Sequence, residues 1–352
     1  MSAARSARRR PRAGTLATVG AALVVALLAA CSAATAGVPE RSSGSSPTGP
    51  TTAVVADESI HPIATDPAPQ LPVTVRSYDG VDVTITDASR IIAVDLYGTL
   101  GEIVYTLGLG DDVVGRDRAT GFAEAADVPL VSAAGHDLNA ESILALDPTV
   151  ILTDTSIGPP EVQAQLRAAG IPVVFFDPAR TLEGIAGHIT AVAEALGVPA
   201  EGAALVERVE AEIAEALALA LTDGEPLRIA FLYLRGTAGV YLLGGPGSGA
   251  DSMIEAIGAV DVGTDIGLTR SFVTLTSEAL VAAAPDVILM LSEGLESIGG
   301  VDGLLGITGV AQTPAGAAHR VVDMDDTVLL SFGPRTGATL LALAEAVHGT
   351  AR

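Results

Sequence analysis

The 352-residue sequence has no lysine, no tryptophan, a single cysteine and few aromatic residues. All 19 basic residues are therefore arginines, and 42 acidic residues give the chain a formal net charge of −23 at pH 7. This surplus of acids makes nucleic acids and anionic lipid surfaces poor partners. One cysteine forms neither an internal disulfide nor a thiolate metal site, so the fold must be stabilised by its core.

The same absences argue against an enzyme. The segment LLGGPGSGADS at 242–252 resembles a phosphate-binding loop before a helix, but the Lys-Ser/Thr of a P-loop is missing. No G-x-S-x-G turn stands between a strand and a helix, and the only cysteine lies near the N-terminus. We therefore expect no catalytic residues and no catalytic cofactor.

The first 30 residues have the layout of an export signal. Five arginines precede the apolar run TLATVGAALVVALLAA, which ends at Cys31 within LLAAC, a lipobox-like motif. We predict a lipoprotein signal peptide over 1–30 and lipidation of Cys31. A Ser/Thr/Pro-rich flexible tether over 31–70 would then hold the protein at the outer face of the cytoplasmic membrane.

From residue 71 onward, short apolar strands alternate with amphipathic helices. A hairpin is predicted around Asp79-Gly80, and strands at RIIAVD, VVGRD, TVILTD and PVVFFD alternate with helices. This order is typical of a mostly parallel α/β sheet with helices on both faces. The pattern predicts an N-terminal lobe over 71–180.

A helix-and-strand segment of the N-terminal lobe is repeated later in the chain. LNAESILALDPTVIL at 138–152 aligns without a gap to LTSEALVAAAPDVIL at 275–289, which indicates a second lobe of similar build. Between the copies, apolar residues recur at three- and four-residue steps. We predict a helical connector over 181–223 and a C-terminal lobe over 224–352. The fold class is α/β, with two lobes joined by a single long helix and a ligand cleft between them.

Lipobox, tether, paired lobes and helical connector together resemble the substrate-binding proteins of ABC importers for ferric siderophores, cobalamin and haem. The resemblance covers roughly residues 85–350. It implies a monomeric receptor that delivers a ligand to a permease and ATPase complex, with the ligand bound between the lobes near the carboxyl ends of strands.

Three segments place unusual residues at such positions. His136 stands in a turn before the first repeat helix, Tyr233 and Arg235 alternate along the strand FLYLRG, and Arg335 lies in the turn FGPRTG. Imidazole nitrogen and tyrosinate oxygen both bind ferric haem iron. Because free tyrosine ionises only near pH ~10, a phenolate ligand needs a nearby cation, which Arg235 would supply.

This pattern is similar to that of the haem-binding lipoproteins of Gram-positive haem ABC importers. The resemblance implies His136 and Tyr233 as axial ligands of ferric haem b and Arg235 as the partner of the tyrosine. Candidates for the propionates are Arg335, Arg118 and Arg116. Met290 is a candidate for the porphyrin face or the surroundings of the iron, with packing in the core as the alternative. Tyr241 is the rival ligand, but no arginine lies two residues away.

In the wider family, one glutamate on each lobe pairs with arginines of the permease. Glu102 and Glu255 lie near the starts of predicted helices, and the resemblance assigns them this docking role. The alternative role is that of first-turn acids in the helix dipole.

Other ligands remain open at this stage. The histidines are too scattered for the three-histidine cluster of zinc or manganese receptors. A ferric siderophore is the main alternative, because arginines also bind catecholate and hydroxamate complexes. Cobalamin is disfavoured by the scarcity of aromatic residues and the absence of tryptophan.

Overall fold

A computed structural model describes residues 48–132, 136–220 and 225–349. The predicted signal peptide, Cys31 and the first part of the predicted tether lie outside the described residues. Within the described part, no helix combines the length and the apolar character needed to cross a membrane.

The N-terminal lobe consists of a hairpin and a four-stranded parallel sheet. The hairpin pairs β2 (Val73–Arg76) with β3 (Asp82–Ile85), as predicted. The sheet has the order β5-β4-β6-β7, formed by β4 (Ile91–Val94), β5 (Val113–Arg116), β6 (Val150–Thr153) and β7 (Val173–Phe175). Its helices are α1 (Thr99–Val104), α2 (Ala140–Ala145) and α3 (Pro160–Ala168). Strands β4 and β6 are buried at every position, as expected of a parallel sheet covered on both faces.

The connector consists of two helices, of which one is long. Helix α4 (Ile185–Ala195) packs against β2 and α1 in the N-terminal lobe, and the 22-residue α5 (Pro199–Ala220) follows it. The chain bends between them at Gly197, whose φ is +72°. A Cβ at this position would lie 2.9 Å from the carbonyl oxygen of Gln70, so the close approach also requires glycine. The single long helix of the prediction is therefore α5.

The C-terminal lobe has a seven-stranded mixed sheet. Its strands are β1 (Thr51–Ala53), β8 (Arg228–Arg235), β9 (Val240–Gly244), β10 (Val260–Asp261), β11 (Phe272–Thr274), β12 (Val287–Leu291) and β13 (Val321–Met324). Their order is β1-β13-β12-β8-β9-β11, and β10 pairs with β8. Strands β9 and β11 are antiparallel to their neighbours, and the other pairs are parallel.

Short helices surround this sheet, and the last helix closes the fold. They are α6 (Ala250–Ala256), α7 (Val262–Asp265), α8 (Ser277–Ala283), α9 (Ser292–Ser297), α10 (Gly300–Leu305), α11 (Pro314–Ala317) and α12 (Thr336–His348). Helix α12 packs along α5, so the last described helix is fixed to the connector.

The internal repeat is confirmed as a structural repeat. Helix α2 precedes strand β6, and helix α8 precedes strand β12, at matching positions of the aligned segments. The N-cap residues also match: the Asn139 side chain accepts a hydrogen bond from Ser142 N, and Thr276 accepts one from Ala279 N. Both copies therefore begin their helix with the same kind of cap.

The tether prediction is wrong from residue 48 onward. Strand β1 pairs in parallel with β13, and Val55 and Ile60 are buried. Arg320, 4% exposed, donates to the Gly49 carbonyl at 3.3 Å and to Thr51 Oγ1 at 3.1 Å. A three-residue strand is too short to produce a period in the sequence, which is why composition alone indicated a flexible segment.

Candidate functional site

Strands from both lobes end at one cleft of about 470 Å³. The N-terminal lobe contributes residues that follow β4 and β5, and the C-terminal lobe contributes the ends of β8 and β12 and the turn after β13. The volume lies within the usual range for small-molecule sites. Much of the wall is apolar, formed by Leu96, Leu130, Leu242, Phe272, Leu291 and Leu330.

Five of the predicted site residues line this cleft, namely Arg116, Arg118, His136, Tyr233 and Arg235. The residues selected from the sequence therefore come from both lobes, lie up to 119 positions apart in the chain, and line the same cleft. Their arrangement in the cleft is consistent with a ligand held from two sides.

His136 lies in the exposed turn before α2. Partial burial is the main cause that lowers the pKa of His136 below its ordinary value, and the positive charges of Arg118 and Arg235 lower this pKa further. At neutral pH the ring is therefore uncharged, which is the form that binds a metal ion through nitrogen.

Tyr233 and Arg235 share one face of β8, as the alternation predicted. The Arg235 guanidinium carbon lies 4.6 Å from the centroid of the Tyr233 ring, and the ring also packs edge-on against Phe272 at 5.7 Å. Phe231 and Tyr233 belong to one side of the sheet, whereas Leu232 and Leu234 pack in the core on the other side. The phenol is thus held between an aromatic ring and a cation.

Sequence reasoning missed Asp326, which lines the cleft and forms an ion pair with Arg235. The second carboxylate oxygen of Asp326 accepts a hydrogen bond from Glu293 N at 2.9 Å. Burial raises the pKa of Asp326, although Arg235 opposes this effect. The available signal was the acidic pair Asp325-Asp326 directly after a buried strand.

A second tyrosine of the cleft was also missed. Tyr97 follows β4 and carries the guanidinium carbon of Arg180 at 3.8 Å from its ring centroid. Burial raises the pKa of Tyr97, although Arg180 lowers it. Tyr97 therefore presents a neutral phenol to the cleft, and the signal in the sequence was its position shortly after the predicted strand RIIAVD.

The two arginines after β5 differ in how they are held. Arg116 donates to the carbonyl oxygens of Val128 and Thr120, each at 3.1 Å, so it is committed to its own loop. Arg118 is exposed at the cleft and has no hydrogen-bonded or ionic partner among the described residues. Of the two, Arg118 is the better placed to meet an anionic group of a ligand.

The structure contradicts the roles that were assigned to Arg335 and Glu102 from the sequence. Arg335 Nη2 lies 3.1 Å from Glu102 Oε2, and its backbone nitrogen donates to Glu102 Oε1 at 2.7 Å. Arg335 is absent from the cleft lining, and Glu102 is 1% exposed. Arg335 is therefore no propionate candidate, and a carboxylate that is buried and already paired is not available to dock a permease.

Met290 and Tyr241 lie away from the cleft. Met290 is fully buried in the core with Leu232 and Ile288, so its assignment to the porphyrin face is wrong. Tyr241 is exposed on β9, where its neighbour Leu242, which pairs with Tyr233, points to the cleft instead. The rival tyrosine thus faces away from the other candidate ligands.

Of the two glutamates predicted to dock the permease, Glu255 is exposed on α6, whereas Glu102 is buried. Glu141 and Glu278 form a better matched pair, because they occupy equivalent positions in the first turns of α2 and α8 and are both exposed. One turn later, the repeat also exposes Leu144 and Val281.

Three buried aspartates stand at the carboxyl ends of neighbouring strands. Asp95, Asp117 and Asp154 each follow the last residue of β4, β5 and β6, and none is more than 7% exposed. Burial and, to a smaller extent, the negative charges of Asp117 and Asp154 raise the pKa of Asp95 to about 8. Burial raises the pKa of Asp117 to about 6 and also raises that of Asp154. Backbone amides nevertheless contact all three carboxyl groups.

Within the described ranges, no group of three or more His, Cys, Asp or Glu side chains is arranged to hold a bare metal ion. The cleft is lined by His136 from the N-terminal lobe and Tyr233 from the C-terminal lobe, beside the phenol of Tyr97 and the carboxylates of Glu293 and Asp326, of which Asp326 is paired with Arg235. Such a set suits a metal that arrives with its own equatorial ligands better than a free cation.

Comparisons with known proteins agree with this architecture. A model of the family "Periplasmic binding protein" matches residues 94–328. The cobalamin-binding protein of Halobacterium salinarum is 26% identical over 290 residues, which cover 81% of this chain and 76% of that protein. An uncharacterized ABC transporter substrate-binding lipoprotein of Bacillus subtilis, YvrC, is 28% identical over 283 residues, or 79% of this chain and 86% of that protein.

Among solved structures, the heme binding protein HmuT has a TM-score of 0.82 and is 41% identical, covering 86% of this chain and 98% of its own. Its solved variants include alanine replacements of one histidine, one tyrosine and one arginine. The replaced tyrosine and arginine lie two positions apart, as Tyr233 and Arg235 do.

Proposed function

Because the chain belongs to the periplasmic binding protein family, we propose that it is an extracytoplasmic receptor that binds ferric haem between its lobes and delivers it to an ABC permease. The observation that carries this proposal is the pairing of His136 on one wall of the cleft with Tyr233 and its stacked Arg235 on the other. The role is binding and release, without covalent chemistry.

The donor chemistry supports haem as the ligand. A neutral imidazole and a phenolate both serve as axial ligands of haem iron, and phenolate favours the ferric state. The guanidinium of Arg235 lies over the Tyr233 ring, so a positive charge stands beside the phenol that would bind the iron. Each lobe supplies one ligand, so separation of the lobes would break one axial bond first, and loss of the second bond would then release the haem.

The remaining walls suit a porphyrin better than a polar siderophore. Leucines and Phe272 offer apolar surface to a flat macrocycle, and Arg118 offers an uncommitted cation to a propionate. HmuT, 41% identical, is a heme binding protein by name, whereas the cobalamin-binding relative is 26% identical. These relations favour haem over cobalamin.

The proposal is tested by titrating the purified protein with hemin and following the Soret band. Because the loss of a residue that only supports a metal ligand already costs about 10–100-fold in metal affinity, replacing both His136 and Tyr233 with alanine should weaken hemin binding at least about 100-fold. Replacing His61 and Tyr241, which are exposed and outside the cleft, is the matched control and should leave binding unchanged. Unchanged affinity in the cleft variant would contradict the proposal, and saturable binding of a ferric siderophore with no Soret band would favour the rival ligand.

We assign permease docking to Glu141 and Glu278 in place of the buried Glu102. Their equivalent positions place one exposed acid on each lobe, with an apolar side chain one turn away. Two such acids fit a partner with two arginine patches. In proteoliposomes with the permease and ATPase, replacing both with alanine should abolish haem import and leave hemin binding intact. Glu255→Ala is the matched exposed control, and loss of import in that variant alone would refute the assignment.

Anchoring through a lipid on Cys31 completes the proposal. The lipobox-like sequence around Cys31 supports it, and the Bacillus subtilis relative is a lipoprotein by name. Cys31→Ser should release the protein from the membrane fraction and prevent incorporation of labelled palmitate. Continued labelling of the serine variant would contradict the assignment.

A further inference from the structure

The guanidinium of Arg235 is held by more than the tyrosine beneath it. It stacks on Tyr233, forms an ion pair with Asp326, and donates through Nη1 to the carbonyl oxygen of Leu234 at 3.1 Å. The side chains of Arg235 and Asp326 are only 25% and 14% exposed. A partly buried ion pair of this kind restricts the arginine far more than a surface pair would.

Three elements meet at this guanidinium. Arg235 ends β8, Asp326 lies in the turn after β13, and the other oxygen of Asp326 binds Glu293 N at the start of α9. Gly294 provides the space: a Cβ there would lie 2.9 Å from Arg235 Nη1 and 2.8 Å from the Leu234 carbonyl oxygen. The carboxylate therefore connects the arginine to the framework of the C-terminal lobe.

The charges that face Arg235 come from both lobes. Tyr233 shares its strand, Asp326 and Glu293 approach from the C-terminal lobe, and His136, whose own pKa responds to Arg118 and Arg235, faces it from the N-terminal lobe. Among these groups, Asp326 is the one in direct ionic contact with Arg235.

We propose that Asp326 is a positioning residue that fixes the Arg235 guanidinium on the Tyr233 ring, so that the cation is already in place when the phenolate binds ferric iron. This inference rests on the proposed haem-binding function. An arginine side chain gains rotamer entropy by moving into solvent. Without the carboxylate, the stacked position loses its anchor.

A merely charge-compensating Asp326 would act in the opposite direction. Removing a neighbouring negative charge would leave Arg235 more effective and would favour the phenolate at lower pH. Loss of positioning would instead make the phenolate form only at higher pH. The sign of the change therefore separates the two roles.

The test is a pH titration of the hemin-loaded protein, followed by its phenolate-to-iron charge-transfer band. An opposite charge at 4–6 Å lowers the pKa of an acid by roughly 1–3 units, so Asp326→Asn and Arg235→Ala should each raise the midpoint of band formation by about one pH unit. The double variant should shift no further than Arg235→Ala alone. Asp326→Glu, which restores the carboxylate, should return the midpoint toward that of the native protein.

Asp325→Asn is the matched control, because among the described residues the Asp325 side chain accepts hydrogen bonds from Thr327 alone, within its own turn. This substitution should leave the midpoint unchanged. A lower midpoint in Asp326→Asn, or shifts that add in the double variant, would overturn the proposal. A fall in thermal stability with no change in midpoint would also overturn it, since that is the signature of a purely structural residue.

A readout without haem separates this inference from the proposed function. The Nε–Hε NMR signal of Arg235, assigned by its loss in Arg235→Ala, should be ordered in the native apoprotein and mobile in Asp326→Asn. If hemin does not bind but this difference is seen, the haem function fails while the positioning contact stands. If hemin binds and the signal is equally ordered in both proteins, the positioning role fails while the haem function stands.

Discussion

Replacing Asp154 with asparagine should stabilise the protein at pH 8 and leave its stability at pH 5 nearly unchanged. Asp154 belongs to the buried group of aspartates at the carboxyl ends of β4, β5 and β6, and its charge is one cause of the raised pKa of Asp95. Its Oδ1 accepts hydrogen bonds from Ser156 N at 2.8 Å and Ser156 Oγ at 2.5 Å, which an asparagine oxygen can also accept. The substitution therefore removes a charge and retains the contact.

The sign follows from proton binding in the two states. An unfolded aspartate releases its proton near pH ~3.9, whereas folded Asp95 keeps it until about pH 8 and Asp117 until about pH 6. The folded state therefore binds more protons between these limits. The contribution of these protonated carboxyl groups to the stability of the folded state is complete below about pH 4 and is lost as the pH rises toward 8.

The magnitude follows from the same linkage. Each proton retained by the folded state changes the free energy of unfolding by about 1.4 kcal/mol per pH unit, so Asp95 alone contributes at most about 4 kcal/mol between pH 5 and pH 8. Burial is the largest cause of the raised pKa of Asp95 and persists in the variant. We therefore expect Asp154→Asn to gain about 1–2 kcal/mol at pH 8 and less than about 0.5 kcal/mol at pH 5.

The assay is urea unfolding followed by circular dichroism at pH 5, 6.5 and 8 and at constant ionic strength. Asp127→Asn, at an exposed position, serves as the control for the general loss of one negative charge from an acidic protein. Equal effects of the two substitutions, or an equal loss of stability at pH 5 and pH 8 in Asp154→Asn, would refute the reasoning.

The remaining predictions concern contacts that hold the fold. Glu102→Ala should lower the free energy of unfolding by about 3–5 kcal/mol, because it removes the carboxylate partner of the largely buried Arg335. Breaking the exposed pair of Arg76 and Asp82 with Asp82→Asn should lower it by under about 0.5 kcal/mol, and urea unfolding compares the two variants. Arg320→Ala should cost about 3 kcal/mol and expose the segment around β1 to limited proteolysis, since Arg320 also donates to carbonyl oxygens at the end of α12. Removing the N-cap with Thr276→Ala should cost about 1 kcal/mol in the same assay, and a loss below about 0.3 kcal/mol would contradict the capping role.

The features that sequence reasoning predicted are those that depend on local pattern. Alternation along β8 placed Tyr233 and Arg235 on one face, and the rule that ligands bind beyond the carboxyl ends of parallel strands brought them to the same cleft as His136. Both inferences need only the period of a strand and the order of elements.

The features it missed depend on partners far away in the chain. The pairing of Glu102 with Arg335 joins residues 233 positions apart, and nothing in either local sequence marks it. The assignment of Met290 to the porphyrin face was wrong for a different reason. Strand β12 is buried at all five positions, so no alternation of polar and apolar residues shows which face of the strand meets the cleft.

The central claim is that His136 and Tyr233, from opposite lobes, bind one ferric iron. Its most direct test compares absorption and electron paramagnetic resonance spectra of the hemin-loaded native protein with those of His136→Ala and Tyr233→Ala. The phenolate-to-iron band should be present in the native protein and in His136→Ala and absent from Tyr233→Ala, and the signature of an axial nitrogen should be lost only in His136→Ala. Spectra that are the same for all three proteins would contradict the claim.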